Sequence, residues 1–250
     1  MPAHRLLFLA GLGRSGTTAL FNVFSAHPQI VLGVERYKRL YLRNDVTINA
    51  DLFMRERFFD FSDDATNVTP QIGEGWAVHY QRMQERWDSA TYVGDKMVTI
   101  RAQRIWETLP DARFVFIVRD PEQVAASWDA RASNPQDSGW AEGRDARRAV
   151  ISWNKAVRRI RRAVRQRPDH AVVVEYERFF GDPAGASLGA TLSWLGLDRG
   201  LEVDERFTRA HEQFVRDVAP KQRVLSPEDH AFVDEHADRA CWHDVTSLAL

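Results

Sequence analysis

A short apolar run that breaks into glycines constrains this chain more than any other stretch. Residues 6–10 favour a buried strand, glycines follow at 11, 13 and 16, and residues 17–26 favour an apolar-periodic helix. In a strand–turn–helix of this kind, the unpaired N–H groups of the first helical turn converge, and the helix dipole favours negative charge there. The stretch therefore predicts an anion-binding loop, and a structural turn with incidental glycines is the alternative.

The loop is close to the nucleotide-binding pattern G-x-x-x-x-G-K-[ST], but Thr17 stands in the lysine position. Since that lysine contacts the β- and γ-phosphates of a triphosphate, its absence predicts a ligand without a γ-phosphate. Arg14 supplies a cation within the loop, and the threonine hydroxyls add hydrogen-bond donors. The residues assigned to anion binding are Gly13, Arg14, Ser15, Gly16, Thr17 and Thr18.

Composition narrows the classes of function. The chain has 250 residues, 44% of them hydrophobic, and a net charge of −1, which gives no global field toward nucleic acid or membrane. No stretch approaches the ~20 apolar residues of a membrane span, and the first apolar run predicts a strand, not a signal peptide. Cys241, the single cysteine of the sequence, excludes an internal disulfide and favours a reducing, cytoplasmic location.

Alternating strand and helix patterns predict one three-layer α/β/α domain over residues 1–250, with a mostly parallel sheet. The uniformly apolar stretch 113–118 is typical of a strand covered on both faces. Asp120 and Pro121 predict the cap and first residue of the next helix. Further strands are expected at 29–34, 91–96 (ending in a polar turn) and 171–174, and further helices at 99–109, at 186–195 and from Ser226.

A long helix after residue 143 has an apolar stripe and basic faces. The stripe consists of Val150, Trp153, Val157, Ile160 and Val164, and arginines occupy the other faces. A solvated basic face is one interpretation, and steering of an anionic cosubstrate is the other.

Two segments give no clear template. Residues 41–90 are rich in aromatic residues and arginine without a strong period, and residues 132–143 favour a loop. We expect 41–90 to form a lid or insert on the acceptor side, and we expect these two segments to determine which acceptor is bound.

A second anion site is predicted beyond the strongest strand. Arg119 follows that strand, and Ser127 lies about two turns into the next helix, on a side that can face Arg119. Both belong to the carboxyl edge of the sheet, where open α/β sheets bind ligands. Combined with a loop that lacks the nucleotide-binding lysine, they suggest a nucleotide with phosphates at two separate positions.

These motifs resemble those of sulfotransferases that use 3′-phosphoadenosine 5′-phosphosulfate (PAPS). Gly-Arg-Ser-Gly-Thr-Thr at 13–18, followed by Ala-His-Pro, resembles their 5′-phosphosulfate loop, and the stretch from Arg119 to Ser127 is similar to their 3′-phosphate motif. Val-Glu-Tyr-Glu at 174–177 resembles their segment near the adenine, which assigns Tyr176 to the cosubstrate. The resemblance implies a P-loop-like sulfotransferase fold, PAPS as cosubstrate and 3′-phosphoadenosine 5′-phosphate (PAP) as product.

The resemblance also implies catalytic residues. It is strongest to the bacterial, Golgi-type and tyrosylprotein branch, where a glutamate after the first helix is the base, here Glu35. Lys96 of Gly-Asp-Lys and Arg14 are expected to stabilise charge during in-line transfer. His79 is the alternative base. Since Tyr37 replaces an arginine of the tyrosylprotein enzymes, and their extra cysteines are missing, a small molecule or carbohydrate is favoured over protein tyrosine.

Two other functions stay open. A P-loop kinase would need the missing lysine and a magnesium-binding aspartate, and a non-catalytic nucleotide-binding protein would not need a base at Glu35. Sulfuryl transfer requires no metal, and no ligand spacing stands out among the eight histidines. The acceptor, the oligomeric state and the tail residue that closes over the cosubstrate, such as Lys221 or Arg223, are not defined by the sequence.

Overall fold

A computed structural model of the chain shows parallel strands with helices on both faces. It describes residues 4–43, 45, 47–62, 65, 70–137, 139–218 and 225–250. The strands are β1 (Arg5–Gly11), β2 (Ile30–Val34), β3 (Tyr92–Met97), β4 (Arg113–Val118) and β5 (Ala171–Glu175). Their order in the sheet is β2-β3-β1-β4-β5, and every neighbouring pair is parallel, which confirms the predicted fold class.

Helices connect the strands and cover the sheet. They are α1 (Thr17–Phe24), α2 (Lys38–Leu42), α3 (Arg55–Phe58), α4 (Pro70–Arg86), α5 (Ala102–Trp106), α6 (Pro121–Ala132), α7 (Ala146–Gln166), α8 (Tyr176–Gly181), α9 (Ala186–Leu195), α10 (Leu201–Gln213), α11 (Pro227–His236) and α12 (Arg239–Thr246). Short 3₁₀ turns at Ala50–Phe53 and Trp87–Ser89 and a π-helical turn at Phe214–Val218 are also present. Within the described ranges, no helix is long and apolar enough to cross a membrane.

Alternate residues of each strand point to opposite faces of the sheet, which divides the core in two. On β1, Phe8 and Ala10 pack with α5, α6 and α7, whereas Leu7 and Leu9 pack with α1, α8, α9 and α10. All four side chains are fully buried. Burial on both faces explains why β1 and β4 are continuous apolar runs in the sequence.

Most of the predicted elements lie close to their expected bounds, and two are corrected. β4 and α9 have the predicted bounds, and Asp120 caps α6 by accepting two backbone hydrogen bonds, as expected. The helix expected over 99–109 is restricted to α5. The polar turn expected around residues 94–96 is part of β3, because these residues pair in register with β1.

Helix α4 lies in the segment for which the sequence showed no period. It packs beside the edge strand β2, with Tyr80 and Met83 buried. The Tyr80 hydroxyl accepts a hydrogen bond of 3.2 Å from the Val34 N–H. Because an exposed strand edge leaves backbone groups unpaired, contacts of this kind explain why a helix covers this edge.

The basic face of α7 is exposed to solvent, in line with the first of its two interpretations, and part of it also docks the C-terminal helices. The opposite, apolar stripe is buried as predicted. The ion pairs join Arg147 to Glu228 and Asp229, Arg158 to Asp238, and Arg161 and Arg165 to Asp244. Since these arginines are more than a third exposed, each pair contributes only about 0–1 kcal/mol, and the set orients α11 and α12.

Candidate functional site

The glycine loop lies between the end of β1 and the start of α1. Gly16 has a φ of 92°, and a Cβ atom there would lie 2.2 Å from Cδ2 of Tyr176. A side chain is therefore excluded both by the backbone conformation and by the approach of the tyrosine ring. Among the residues that the structure describes, no side chain caps the first turn of α1, so its N–H groups are open to an anion.

Two arginines from different loops meet above this turn. Nε of Arg14 donates to the Ser127 hydroxyl at 3.0 Å, and Nη1 of Arg119 donates to the Arg14 carbonyl oxygen at 3.3 Å. The Arg119 guanidinium lies 4.5 Å from the ring centroid of Tyr176 and pairs with Glu177 at 3.3 Å. The structure thus brings together four of the predicted nucleotide-binding residues, Arg14, Arg119, Ser127 and Tyr176, and the Arg14–Ser127 contact is one that the sequence did not suggest.

Glu35 and Lys96 form an ion pair where β2 and β3 end. The two strands are parallel, with Val34 opposite Lys96, so the first residue after β2 lies beside the lysine. Lys96 Nζ is 2.9 Å from Glu35 Oε1, and Lys38 Nζ is 2.8 Å from Oε2. The Lys96 side chain is 3% exposed and that of Glu35 is 15% exposed. The predicted base and the predicted cation are therefore in direct contact.

The environment of Glu35 determines its protonation. Burial acts to raise the pKa of this carboxyl, but the positive charges of Lys96 and Lys38 together outweigh burial and lower the pKa below its ordinary value. Glu35 is consequently ionised at neutral pH and has the charge state that a proton acceptor requires.

Asp95 supports the turn that carries Glu35, and the sequence analysis missed it. Its carboxylate accepts hydrogen bonds from the N–H groups of Arg36 at 3.0 Å and Tyr37 at 3.2 Å, and from the Tyr41 hydroxyl at 2.8 Å. Burial raises the pKa of Asp95 to about 6. Glu35 has a φ of 52°, so the turn is strained and Asp95 holds it in place. Two adjacent charged residues, Asp95 and Lys96, within a buried strand are the signal that could have identified this residue.

A cavity of about 390 Å³ joins the glycine loop to the ion pair. This volume is in the usual range for small-molecule sites. Its lining includes Gly13, Arg14, Thr17, Thr18, Glu35, Lys38 and Lys96, together with Tyr41, Leu42, Met97, Trp128, Arg131, Trp140 and Arg144. Tyr41 and Leu42 come from the 41–90 segment and Trp140 from the 132–143 loop, the two segments expected on the acceptor side.

His79, the alternative base, lies in another cavity, of about 630 Å³, between α1, α4 and α10. Its Nε2 is 3.0 Å from the Leu32 carbonyl oxygen, and its ring packs against Phe21. Burial lowers the pKa of this imidazole. His79 is not part of the lining of the cavity that holds Glu35.

Other sequence expectations concern metals, the cysteine and the tail. Among the described residues, no group of three or more histidine, cysteine, aspartate or glutamate side chains could hold a metal ion. Cys241 is buried, and burial raises the pKa of its thiol. Lys221 and Arg223 lie outside the described residues.

Comparison with known proteins gives a family and one relative in sequence. A model of the sulfotransferase family matches residues 7–200. A Caenorhabditis briggsae protein provisionally named a protein-tyrosine sulfotransferase is 26% identical over an alignment of 189 residues, and the alignment covers 72% of this chain and 61% of that protein. The chain thus spans less than two thirds of the length of this relative.

Two solved structures share the fold. The sulfotransferase domain from the curacin biosynthetic pathway superposes with a TM-score of 0.53 at 16% identity, over 93% of this chain and 97% of that domain. Mouse sulfotransferase SULT7A1 complexed with PAP superposes with a TM-score of 0.55 at 11% identity, over 98% of this chain and 88% of that protein. Identities this low relate the chains by fold.

Proposed function

This chain belongs to the sulfotransferase family, and from that premise we propose that it transfers the sulfuryl group of PAPS to a hydroxyl group of an acceptor. The observation that carries the proposal is the single cavity shared by the anion-binding loop and the Glu35–Lys96 ion pair. In-line transfer requires the donor, the cation and the proton acceptor to meet within a few ångströms. A cavity lined by the donor-binding loop, the cation and the proton acceptor supports catalysis rather than nucleotide binding alone.

The residues present fit this cosubstrate. The uncapped N–H groups of α1 and the open space beside Gly13 suit the 5′ end, which we assign to the loop. Arg119 and Ser127 are assigned to the 3′-phosphate, and Tyr176 to the adenine side. The complete set assigned to the 5′ end is Gly13, Arg14, Ser15, Gly16, Thr17 and Thr18. When bound, PAPS supplies the activated sulfuryl group, and PAP is the product.

Three side chains take the chemical roles. Glu35 is the general base, and its carboxylate oxygen accepts the proton of the acceptor hydroxyl. Lys96 and Arg14 face the same cavity and offset the negative charge that develops on the transferring and leaving groups. A buried ammonium group such as that of Lys96 is effective here because little water screens it.

The acceptor that the cavity favours is a small molecule or a carbohydrate. A volume of about 390 Å³ must hold both the reacting end of the donor and the acceptor, which leaves little room for a folded protein segment. The kinase alternative is weakened by Asp120, because the carboxylate that could hold magnesium is engaged in capping α6.

The test is transfer of labelled sulfate from PAPS to a panel of hydroxylated small molecules, sugars and tyrosine peptides, without added metal. We expect a labelled product from at least one small molecule or sugar, together with release of PAP. Binding of PAP without any transfer would favour a non-catalytic nucleotide-binding protein. Stabilisation by ATP with magnesium, and none by PAP, would favour a kinase.

A further inference from the structure

One wall of the cavity is built from two indole rings and two guanidinium groups. The rings of Trp128 and Trp140 meet edge to face, with centroids 5.2 Å apart. Trp128 is buried, and its Nε1–H donates to the Gly13 carbonyl oxygen at 3.0 Å. The Nε1–H of Trp140 donates to the Arg144 carbonyl oxygen at 2.8 Å. Hydrogen bonds therefore connect the wall to the donor loop at one end and to the segment just before α7 at the other.

The two arginines of this wall differ in their partners. Arg131 stacks 4.4 Å from the centroid of Trp140, and both oxygens of the Asp137 carboxylate accept hydrogen bonds from it. The Arg144 guanidinium lies 5.6 Å from the centroid of Trp140 and 5.9 Å from that of Trp128. Its side chain is exposed, and the ion pairs formed among the described residues do not include one at Arg144. Its guanidinium group is therefore not held in an ion pair with any described carboxylate.

The other charged residues of the cavity have a partner or a role in the transfer, whereas Arg144 has no assigned role in it. The charged residues of the lining are Arg14, Lys38, Lys96, Arg131 and Arg144, which are positive, and Glu35, which is negative. Arg14 and Lys96 face the donor, Lys38 pairs with Glu35, and Arg131 pairs with Asp137. A guanidinium group binds a carboxylate or phosphate well, and indole rings pack well against planar rings.

We propose that the acceptor is a small aromatic molecule that carries a hydroxyl group and an anionic group, with its ring against Trp128 and Trp140 and its anionic group on Arg144. This inference rests on the function proposed above, because the hydroxyl has to reach Glu35. A phenolic hydroxyl, with a pKa of about 10, suits this site, since it gives up its proton more readily than an aliphatic alcohol does.

The experiment compares para-hydroxyphenylacetate with its methyl ester, which keeps the ring and hydroxyl but not the charge. Calorimetric titration into the full chain is carried out with and without PAP. We expect the wild type to bind the acid about tenfold more tightly than the ester. Arg144→Gln should abolish this preference, and labelled-sulfate transfer should show a matching rise in KM for the acid with kcat nearly unchanged.

Arg148→Gln is the matched control, because Arg148 is an exposed arginine on α7 that does not line the cavity. It should retain the preference for the acid. Equal binding of acid and ester by the wild type, no saturable binding of the acid, or an unchanged preference in Arg144→Gln would overturn the proposal. Failure of PAP to bind would contradict the proposed function instead, and the titrations without PAP still compare acid with ester.

Discussion

The donor loop and the acceptor wall face one cavity but are built in different ways. The donor loop is a continuous stretch between β1 and α1, and its shape follows from Gly16 and from the uncapped start of a helix. The acceptor wall combines Trp128 and Arg131 of α6 with Trp140 and Arg144 from the segment before α7, and Tyr41 and Met97 from two further segments complete this side of the cavity. A common donor can be bound by local backbone geometry, whereas an individual acceptor is selected by side chains that only the tertiary fold assembles.

The largest expected effect is at Glu35, where the two regions meet. Glu35→Gln keeps the shape of the side chain but cannot accept a proton at neutral pH, so kcat should fall by roughly 10²–10⁴. Binding of PAP should stay near that of the wild type. Steady-state kinetics and calorimetry measure the two quantities.

Glu205→Gln, a change at an exposed glutamate of α10, is the control for Glu35 and should leave kcat unchanged. If the kcat of Glu35→Gln stayed within about twofold of the wild-type value, Glu35 would not be the general base. If His79→Ala were inactive in that case, the general base would be His79. The assignment of the donor-binding residues would be unaffected.

Lys96→Ala should lower kcat by roughly 10²–10³, because charge near its ammonium group grows toward the transition state. The dissociation constant of PAP should change less than kcat. Lys155→Ala, at an exposed position of α7, is the matched control. A normal kcat with a raised KM for PAPS would show that Lys96 belongs to donor binding alone.

Arg119→Ala tests the donor region by itself. Loss of a charge-assisted hydrogen bond to phosphate, about 1.5–3 kcal/mol, should weaken PAP binding by roughly ten- to a hundredfold. Adenosine 5′-monophosphate lacks the 3′-phosphate, so its weaker binding should be nearly insensitive to the change. If the mutant bound PAP as tightly as the wild type, the two-phosphate interpretation would be wrong.

Asp95→Asn tests the turn that places Glu35. An amide cannot accept all three hydrogen bonds, so the free energy of unfolding should fall by roughly 1–3 kcal/mol, with a larger loss in kcat than in PAP affinity.

The pKa of Asp95 is about 6 in the folded chain and about 3.9 when unfolded, so the folded state binds more protons between these values. Wild-type stability therefore decreases as pH rises from about 4 to 6.

The urea-unfolding difference between wild type and Asp95→Asn should accordingly shrink across that pH window. Since the other titrating groups are common to both proteins, the difference isolates Asp95. A difference that stays constant with pH would mean that Asp95 is ionised throughout, and that the turn is held by an ordinary carboxylate.

Local patterns were sufficient for β4, α9 and the Asp120 cap, because each depends on burial or capping within a few residues. Local patterns also predicted that Arg14 and Arg119 would lie at the same edge of the sheet, as parts of two anion sites, since each follows a strand of a parallel sheet. They failed for α4, because the positions of its apolar residues are explained only by its packing against β2. They also did not show that part of the basic face of α7 pairs with carboxylates from α11 and α12.

The acceptor wall could not be predicted from the sequence either, because its contacts join residues that are distant in the chain. The indole of Trp128 donates to the Gly13 carbonyl oxygen, and the two residues are far apart in the chain. Periodicity marks Trp128 as a residue of α6 but does not show which loop it contacts. Trp140 lies in the 132–143 segment, for which the sequence predicted only a loop. Nothing in that segment showed that the Trp140 ring would line the cavity.

A crystal structure of the protein with PAP tests the central claim most directly. The account predicts the 5′-phosphate on the N–H groups of residues 13–18, the 3′-phosphate within hydrogen-bond distance of Arg119 and Ser127, and the adenine beside Tyr176. It also predicts that the 5′-phosphate lies next to Lys96, with the side that would carry the sulfuryl group directed toward Glu35. A nucleotide whose 3′-phosphate contacts neither Arg119 nor Ser127, or whose 5′-phosphate points away from Glu35, would contradict the account.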